Sequence, residues 1–287
     1  MAKLIGYING LIIMDEHRKG WPASTDMYAI GPITRGKALN ESHLDKLKSL
    51  EGRGKREPAT LEWYPSDTKE RFESAPEDFK EYWNSKKHIM DYKLNSYGMR
   101  CEEIEANRES IVFLGCSMTF GVGCPKTLTW AYKTAQHFGL REVNLGLPGG
   151  SLDAAFRLYY HWQPFVKAKM TVLAIPPGYR LERVCDDREN PLQSLGAWQQ
   201  WRQDQQDIVN SMKLLNDPNI YLNYNKNILA IKKIAEDTDS QFFMIPWTST
   251  EWRITKGMRG GRDRAHPDQK WHGKVAEKLI NELQDKL

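Results

Sequence analysis

The rhythm of apolar and polar positions changes near residue 110. Downstream, four short and largely apolar runs stand out: Ile111–Leu114, Val143–Leu145, Thr171–Ile175 and Gln241–Ile245, most of them closed by Gly or Pro. Continuous apolar runs of this length predict strands buried on both faces, as in a parallel sheet. Helix-length segments lie between them, at roughly 126–138, 151–166 and within 196–236, and a closing helix is predicted near 268–285. In the third segment Ile220, Tyr224, Ile228, Ile231 and Ile234 recur at helical spacing. Strand and helix alternation of this kind predicts an open parallel sheet covered on both faces, with sites at the carboxyl ends of the strands.

Upstream the rhythm is lost. Residues 1–105 read as an N-terminal extension or accessory layer, and residues 106–287 as the domain that carries the chemistry. Trp63, Tyr64, Phe72, Phe79, Tyr82 and Trp83 predict short helices that bury an aromatic layer against something larger, the alternative being an aromatic wall for a sugar. The opening run LIGYINGLIIM imitates a signal peptide, but Asn9 breaks it and it leads into Asp15-Glu16-His17-Arg18-Lys19 with no small-x-small cleavage pattern. No apolar stretch reaches bilayer length. The expectation is a cytoplasmic protein, or one carried on or released with a particle.

Charge narrows the partners. Across 287 residues, 41 Lys and Arg against 37 Asp and Glu leave a net charge of +4, too small to point to nucleic acid or a membrane surface. The four cysteines (Cys101, Cys116, Cys124, Cys185) lack CxxC spacing, so buried free thiols are expected, and neither a metal nor a cofactor.

The chemistry concentrates at strand ends. The stretch IVFLGCSMTFGVGCPKT, residues 111–127, invites a phosphate-loop reading. Such a loop needs Gly directly before the Lys-Thr pair and again about six residues before the Lys, where this chain has Pro125 and Phe120. Pro125 offers no N–H, and Phe120 blocks close approach of the backbone. A dinucleotide fingerprint fails at Lys126, which stands in place of the third glycine. The alternative is a turn that presents Ser117. A serine needs a base, and His266 in the segment GRDRAHPD, just before the last helix, supplies one at the same sheet edge. Three-residue spacing lets Asp263 orient its ring. His272 is a rival base with the wrong spacing, and is read as a packing residue.

These residues resemble the SGNH (GDSL) hydrolase family. The stretch GCSMTFG is similar to its first block, with Ser117 as nucleophile; Val143-Asn144-Leu145-Gly146-Leu147-Pro148-Gly149 to the second, whose glycine, here Gly146, gives an oxyanion N–H; and Asp263-Arg264-Ala265-His266-Pro267 to the last. Tyr92–Arg100 also looks like the lead-in of uncharacterised members, some phage-encoded. The resemblance covers roughly residues 110–285 and implies an α/β fold, a three-layer α/β/α flavodoxin-like sandwich with a central parallel sheet. It implies catalytic Ser117, Asp263 and His266, with oxyanion donors from Ser117 and Gly146. Two positions depart from the pattern. Cys116 replaces the eponymous Asp, and the third block reads IPPGYR, residues 175–180, without the Asn that completes the oxyanion hole. Asn144, Gly178 and Arg180 are the candidates for substrate or oxyanion support, Arg180 for its permanent charge and reach.

The implied activity is serine esterase chemistry on a small acyl ester or acylated carbohydrate. The alternatives are an acyltransferase using the same triad and a non-catalytic binding or structural module. Lys256, Arg259, Arg262 and Arg264 read either as a solvated basic loop or as attraction for an acidic substrate. Trp198 and Trp201 read as substrate-shaping or helix-anchoring residues.

Overall fold

The computed structural model describes residues 4–8, 11–14, 57–64, 66–85, 90–106, 108–176, 180–184, 192–196, 217–247, 252 and 260–286. The opening run forms a hairpin of β1 (Leu4–Ile8) and β2 (Leu11–Met14), antiparallel with Ile8 opposite Leu11. Next come β3 (Ala59–Leu61), the short helices α1 (Lys69–Glu73) and α2 (Glu77–Asn84), and β4 (Tyr92–Leu94), which pairs with β3.

The sheet is built from β5 (Glu109–Leu114), β6 (Arg141–Asn144), β7 (Lys167–Ala174) and β10 (Gln241–Ile245), in the order β10-β7-β5-β6 and parallel throughout. Each overlaps one of the four apolar runs. Alternation along β5 shows why both faces had to be apolar. Val112 and Leu114 enter a core with Leu158 and Tyr159 of α5 (Leu152–Trp162) and Ile231 and Ala235 of α6 (Asp217–Asp237). Ile111 and Phe113 enter the opposite core, with Trp130 and Ala135 of α4 (Trp130–His137) and Val275 and Leu279 of α7 (Gln269–Leu283). The result is a three-layer α/β/α arrangement around a parallel sheet.

Caps account for several helix starts. Thr129, Ser151 and Asp268 each accept from a backbone N–H in the first turn of α4, α5 and α7. One element departs from the reading. Between β7 and α6, before the segment in which a helix was expected, β8 (Arg180–Val184) and β9 (Leu192–Gly196) form an antiparallel pair outside the main sheet. No helix among the described residues is long and apolar enough to cross a membrane.

Candidate active site

Ser117 follows directly from the end of β5. Gly115, with φ near +153°, makes the exit; a Cβ there would lie 2.2 Å from Thr119 Oγ1 and 2.8 Å from the Ala174 carbonyl, so no side chain fits without movement. Ser117 then opens a single helical turn, α3 (Ser117–Phe120), and is nearly buried at 6% exposure, less open than a turn serine is expected to be. The turn closes through Thr119 and Phe120 N–H groups on the Cys116 carbonyl. The Ser117 N–H, at the first helical position, has no carbonyl behind it.

The second strand end supports this turn. Asn144 Nδ2 donates to the Thr119 carbonyl at 2.9 Å and to Glu142 Oε1 at 3.1 Å. Those two acceptors fix the amide so that Oδ1 accepts from the Gly146 N–H at 3.0 Å. Gly146 packs so closely on α3 that an added Cβ would lie 2.6 Å from the Phe120 nitrogen. The N–H that the sequence motif assigns to an oxyanion is therefore donated to Asn144.

Asp263 and His266 are together. Asp263 Oδ2 lies 2.5 Å from His266 Nδ1, while Oδ1 accepts from the Ala265 and His266 amides at 3.1 and 3.0 Å. Asp263 is fully buried, which by itself raises its pKa; the hydrogen bond and charge of His266 and the two amides outweigh burial and hold it below the usual carboxylate value. The loop rests on Gly123, six residues beyond Ser117. Arg262 N–H donates to the Gly123 carbonyl at 2.9 Å, and a Cβ on Gly123 would lie 2.8 Å from Asp263 Oδ1. Among the described residues no hydrogen bond joins Ser117 Oγ to the His266 ring.

His272 is committed elsewhere. It is fully buried, and its Nδ1 accepts from the Trp130 N–H at 3.3 Å, at the start of α4. Burial first, then the charges of Arg100, Lys133 and His266, push it down to about 3. Arg180, at the start of β8, donates to the Gly150 carbonyl at 3.3 Å. Beside it the Tyr224 hydroxyl donates to the Pro176 carbonyl, and burial pushes this phenol up to about 12. Gly178, Trp198, Trp201, Lys256 and Arg259 lie outside the described residues.

Arg262 corrects one reading. It belongs to neither a solvated loop nor a substrate-attracting cluster, being 7% exposed and paired with Asp67, its Nε 3.1 and 2.9 Å from the two carboxylate oxygens and its Nη2 2.8 Å from Oδ2. Its guanidinium also covers the Trp63 ring at 3.9 Å. Arg264, by contrast, is exposed. Sequence reasoning also missed Arg100, at the end of the lead-in motif. Arg100 is buried across the Tyr92 ring and donates to the carbonyls of Phe120, Gly121 and Cys124, bracing the loop after Ser117. The lone signal was the position of Arg100 inside the recognised motif. Among the described residues no group of three or more His, Cys, Asp or Glu could hold a metal ion.

No family model matches the chain, and no curated protein matches it. Solved structures do. One, from a study of a carbohydrate esterase active site with divergent catalytic and non-catalytic binding functions, shares 14% identity at a TM-score of 0.41 over 63% of this chain and 66% of its own. An acetyl xylan esterase from the rumen bacterium Butyrivibrio proteoclasticus shares 15% at 0.33, over 63% and 64%. A lipolytic protein of the G-D-S-L family from Desulfitobacterium hafniense, described as putative in its own name, shares 12% at 0.31, over 61% and 99%. The chain thus spans less than two-thirds of the length of the first two.

Proposed function

We propose that the chain is a serine esterase acting through Ser117, His266 and Asp263. The observation that carries the reading is the 2.5 Å contact between buried Asp263 and His266, on a loop docked against the glycine that follows the Ser117 turn. Asp263 Oδ2 accepts the proton on Nδ1 and so leaves Nε2 as the base. Ser117 Oγ attacks the acyl carbon as Nε2 takes its proton. The imidazolium, stabilised by the Asp263 carboxylate, returns that proton to the leaving alcohol. Water then repeats the sequence on the acyl-serine and releases the acid. The Ser117 N–H faces the developing oxyanion, and Gly146 joins it by turning its N–H from Asn144 Oδ1 or sharing it.

The substrate class proposed is a small acyl ester, with an acetylated carbohydrate as the alcohol side. A non-catalytic module is the second reading, favoured by the engagement of the Gly146 N–H with Asn144. Turnover of nitrophenyl acetate and labelling by a serine-directed phosphonate separate the two. Ser117→Ala is expected to abolish labelling and to lower kcat by several orders of magnitude. Wild-type turnover by Ser117→Ala, in protein free of contaminating esterase, overturns the mechanism. Comparing acetylated with deacetylated oligosaccharides tests the substrate class.

A further inference from the structure

Four hydrogen-bonded links close a ring around the docking point of the Asp263 loop. Arg262 donates through its guanidinium to Asp67, and through its backbone N–H to the Gly123 carbonyl at 2.9 Å. The Gly123 N–H donates to Tyr92 Oη at 3.0 Å, and the Tyr92 hydroxyl donates back to Asp67 Oδ2 at 2.6 Å. Asp67 and Tyr92 belong to the segment before the sheet, Gly123 follows Ser117, and Arg262 directly precedes Asp263. The ring therefore joins three segments, with Asp67 and Arg262 separated by 195 positions.

Each member is held so that the ring has one geometry. Asp67 is fully buried, exchanging backbone hydrogen bonds with Tyr64 at 3.0 and 2.7 Å just before Thr68 caps α1. Burial and the neighbouring Asp67 charge keep the Tyr92 phenol protonated far above its ordinary range, so it remains the donor to Asp67. The Arg262 fork meets both carboxylate oxygens, and its Nη2 also reaches the Glu62 carbonyl. Stability alone accounts poorly for such a pair, because well-packed apolar replacements of buried ion pairs are often neutral or stabilising. What the fork supplies is direction: it fixes where Arg262, and hence Asp263, lies relative to Gly123.

We propose that Asp67 is a positioning residue for the triad, acting through Arg262 to set the Asp263–His266 pair against the Ser117 turn. The inference rests on the esterase reading above, and the test separates failure of the two. In the full chain, Asp67→Asn and the double variant Asp67→Leu with Arg262→Leu are compared by melting temperature, by kcat and KM on nitrophenyl acetate, and by the far-downfield proton resonance of the His266 Nδ1–H. The double variant removes both buried charges, so its melting temperature is expected to recover towards the wild-type value. Its kcat is expected to stay about 10²-fold low with KM little changed, because misplacement of about an ångström costs that much. The downfield resonance is expected to be lost or displaced in both variants. Wild-type kcat and an unmoved resonance in the folded double variant overturn the proposal, whatever happens to stability. If the wild-type chain shows no Ser117-dependent turnover, the esterase reading fails, and the resonance alone decides whether Asp67 positions the pair. Should neither variant fold, Tyr92→Phe removes the hydroxyl and with it two links of the ring, the one to Asp67 and the one from the Gly123 N–H; a roughly tenfold fall in kcat is expected, and an unchanged kcat overturns the proposal.

Discussion

Ser117 and the Asp263–His266 pair are held in different ways. Around Ser117 the constraints are short-range: a glycine exit two residues earlier, a single helical turn, and Asn144 and Gly146 from the adjoining strand end pressed on that turn. Around Asp263 the carboxylate accepts from two amides, the loop closes on itself through the Gly261 and Arg264 N–H groups, and the loop as a whole is fixed through Arg262 to the segment before the sheet. The first region is a product of steric exclusion, where backbone comes too close for any side chain. The second is a product of charge, where a buried carboxylate and guanidinium dictate direction. A site divided this way is expected to respond differently to small added volumes and to lost charges.

The largest effect is expected at Asp263 itself. Asp263→Asn offers His266 a neutral partner that does not hold the working tautomer or stabilise the imidazolium, and kcat on an acyl ester should fall about 10³–10⁴-fold. Circular dichroism should remain native. A fall under tenfold would mean that His266 is oriented by something other than the contact seen here.

Next is Gly123→Ala, which acts where the two regions meet. The glycine has φ near +72°, and the added Cβ would lie 2.8 Å from Asp263 Oδ1, 3.1 Å from the Arg262 nitrogen and 3.2 Å from the Gly261 Cα. Backbone strain and displacement of the loop both follow. The expected outcome is a loss of roughly 1–3 kcal/mol in stability and a fall in kcat of about 10²-fold, read by denaturant unfolding and steady-state kinetics. A stable variant with unchanged kcat would show that the loop has slack at this contact.

The sequence revealed these two regions unequally, for the same physical reason. The strand before Ser117 was legible because a strand buried on both faces must be apolar throughout, as Ile111–Leu114 is. The closing helix was legible from its apolar spacing, and its boundary was explained by Asp268 as cap. Asp263 and His266 were legible as a pair because their partners lie three positions apart. Asp67 and Arg262 were not, since a contact across 195 positions leaves no periodicity, and Arg262 sits among other basic residues. The β8–β9 pair was missed because the charged alternation of Arg180–Val184 lacks the apolar run that marked the sheet.

The smallest effect on catalysis is expected from a change that acts through pH and separates the two regions by sign. Glu142 supports the Ser117 side through Asn144. It is buried, with Lys126 Nζ no nearer than 3.8 Å to Oε2, and burial pushes its carboxyl up to about 7. Asp263, on the other side, is held below its ordinary value. A raised carboxyl means that the folded chain keeps a proton the unfolded chain has released, so this contribution falls as pH rises from about 4.5 to about 7. A lowered carboxyl has the opposite sign: Asp263 stabilises above the ordinary aspartate range, and that contribution is lost as pH falls through its folded value. Glu142→Gln removes the charge but keeps an oxygen for Asn144. The variant should match wild type near pH 4.5 and exceed it at pH 8 by on the order of 2–3 kcal/mol, in parallel melts at the two values. Catalysis at pH 8 should change little, because Asn144 keeps its partner. A stability difference that stays flat across this range would mean that Glu142 is ionised in the fold at acid pH, with Lys126 compensating for its burial.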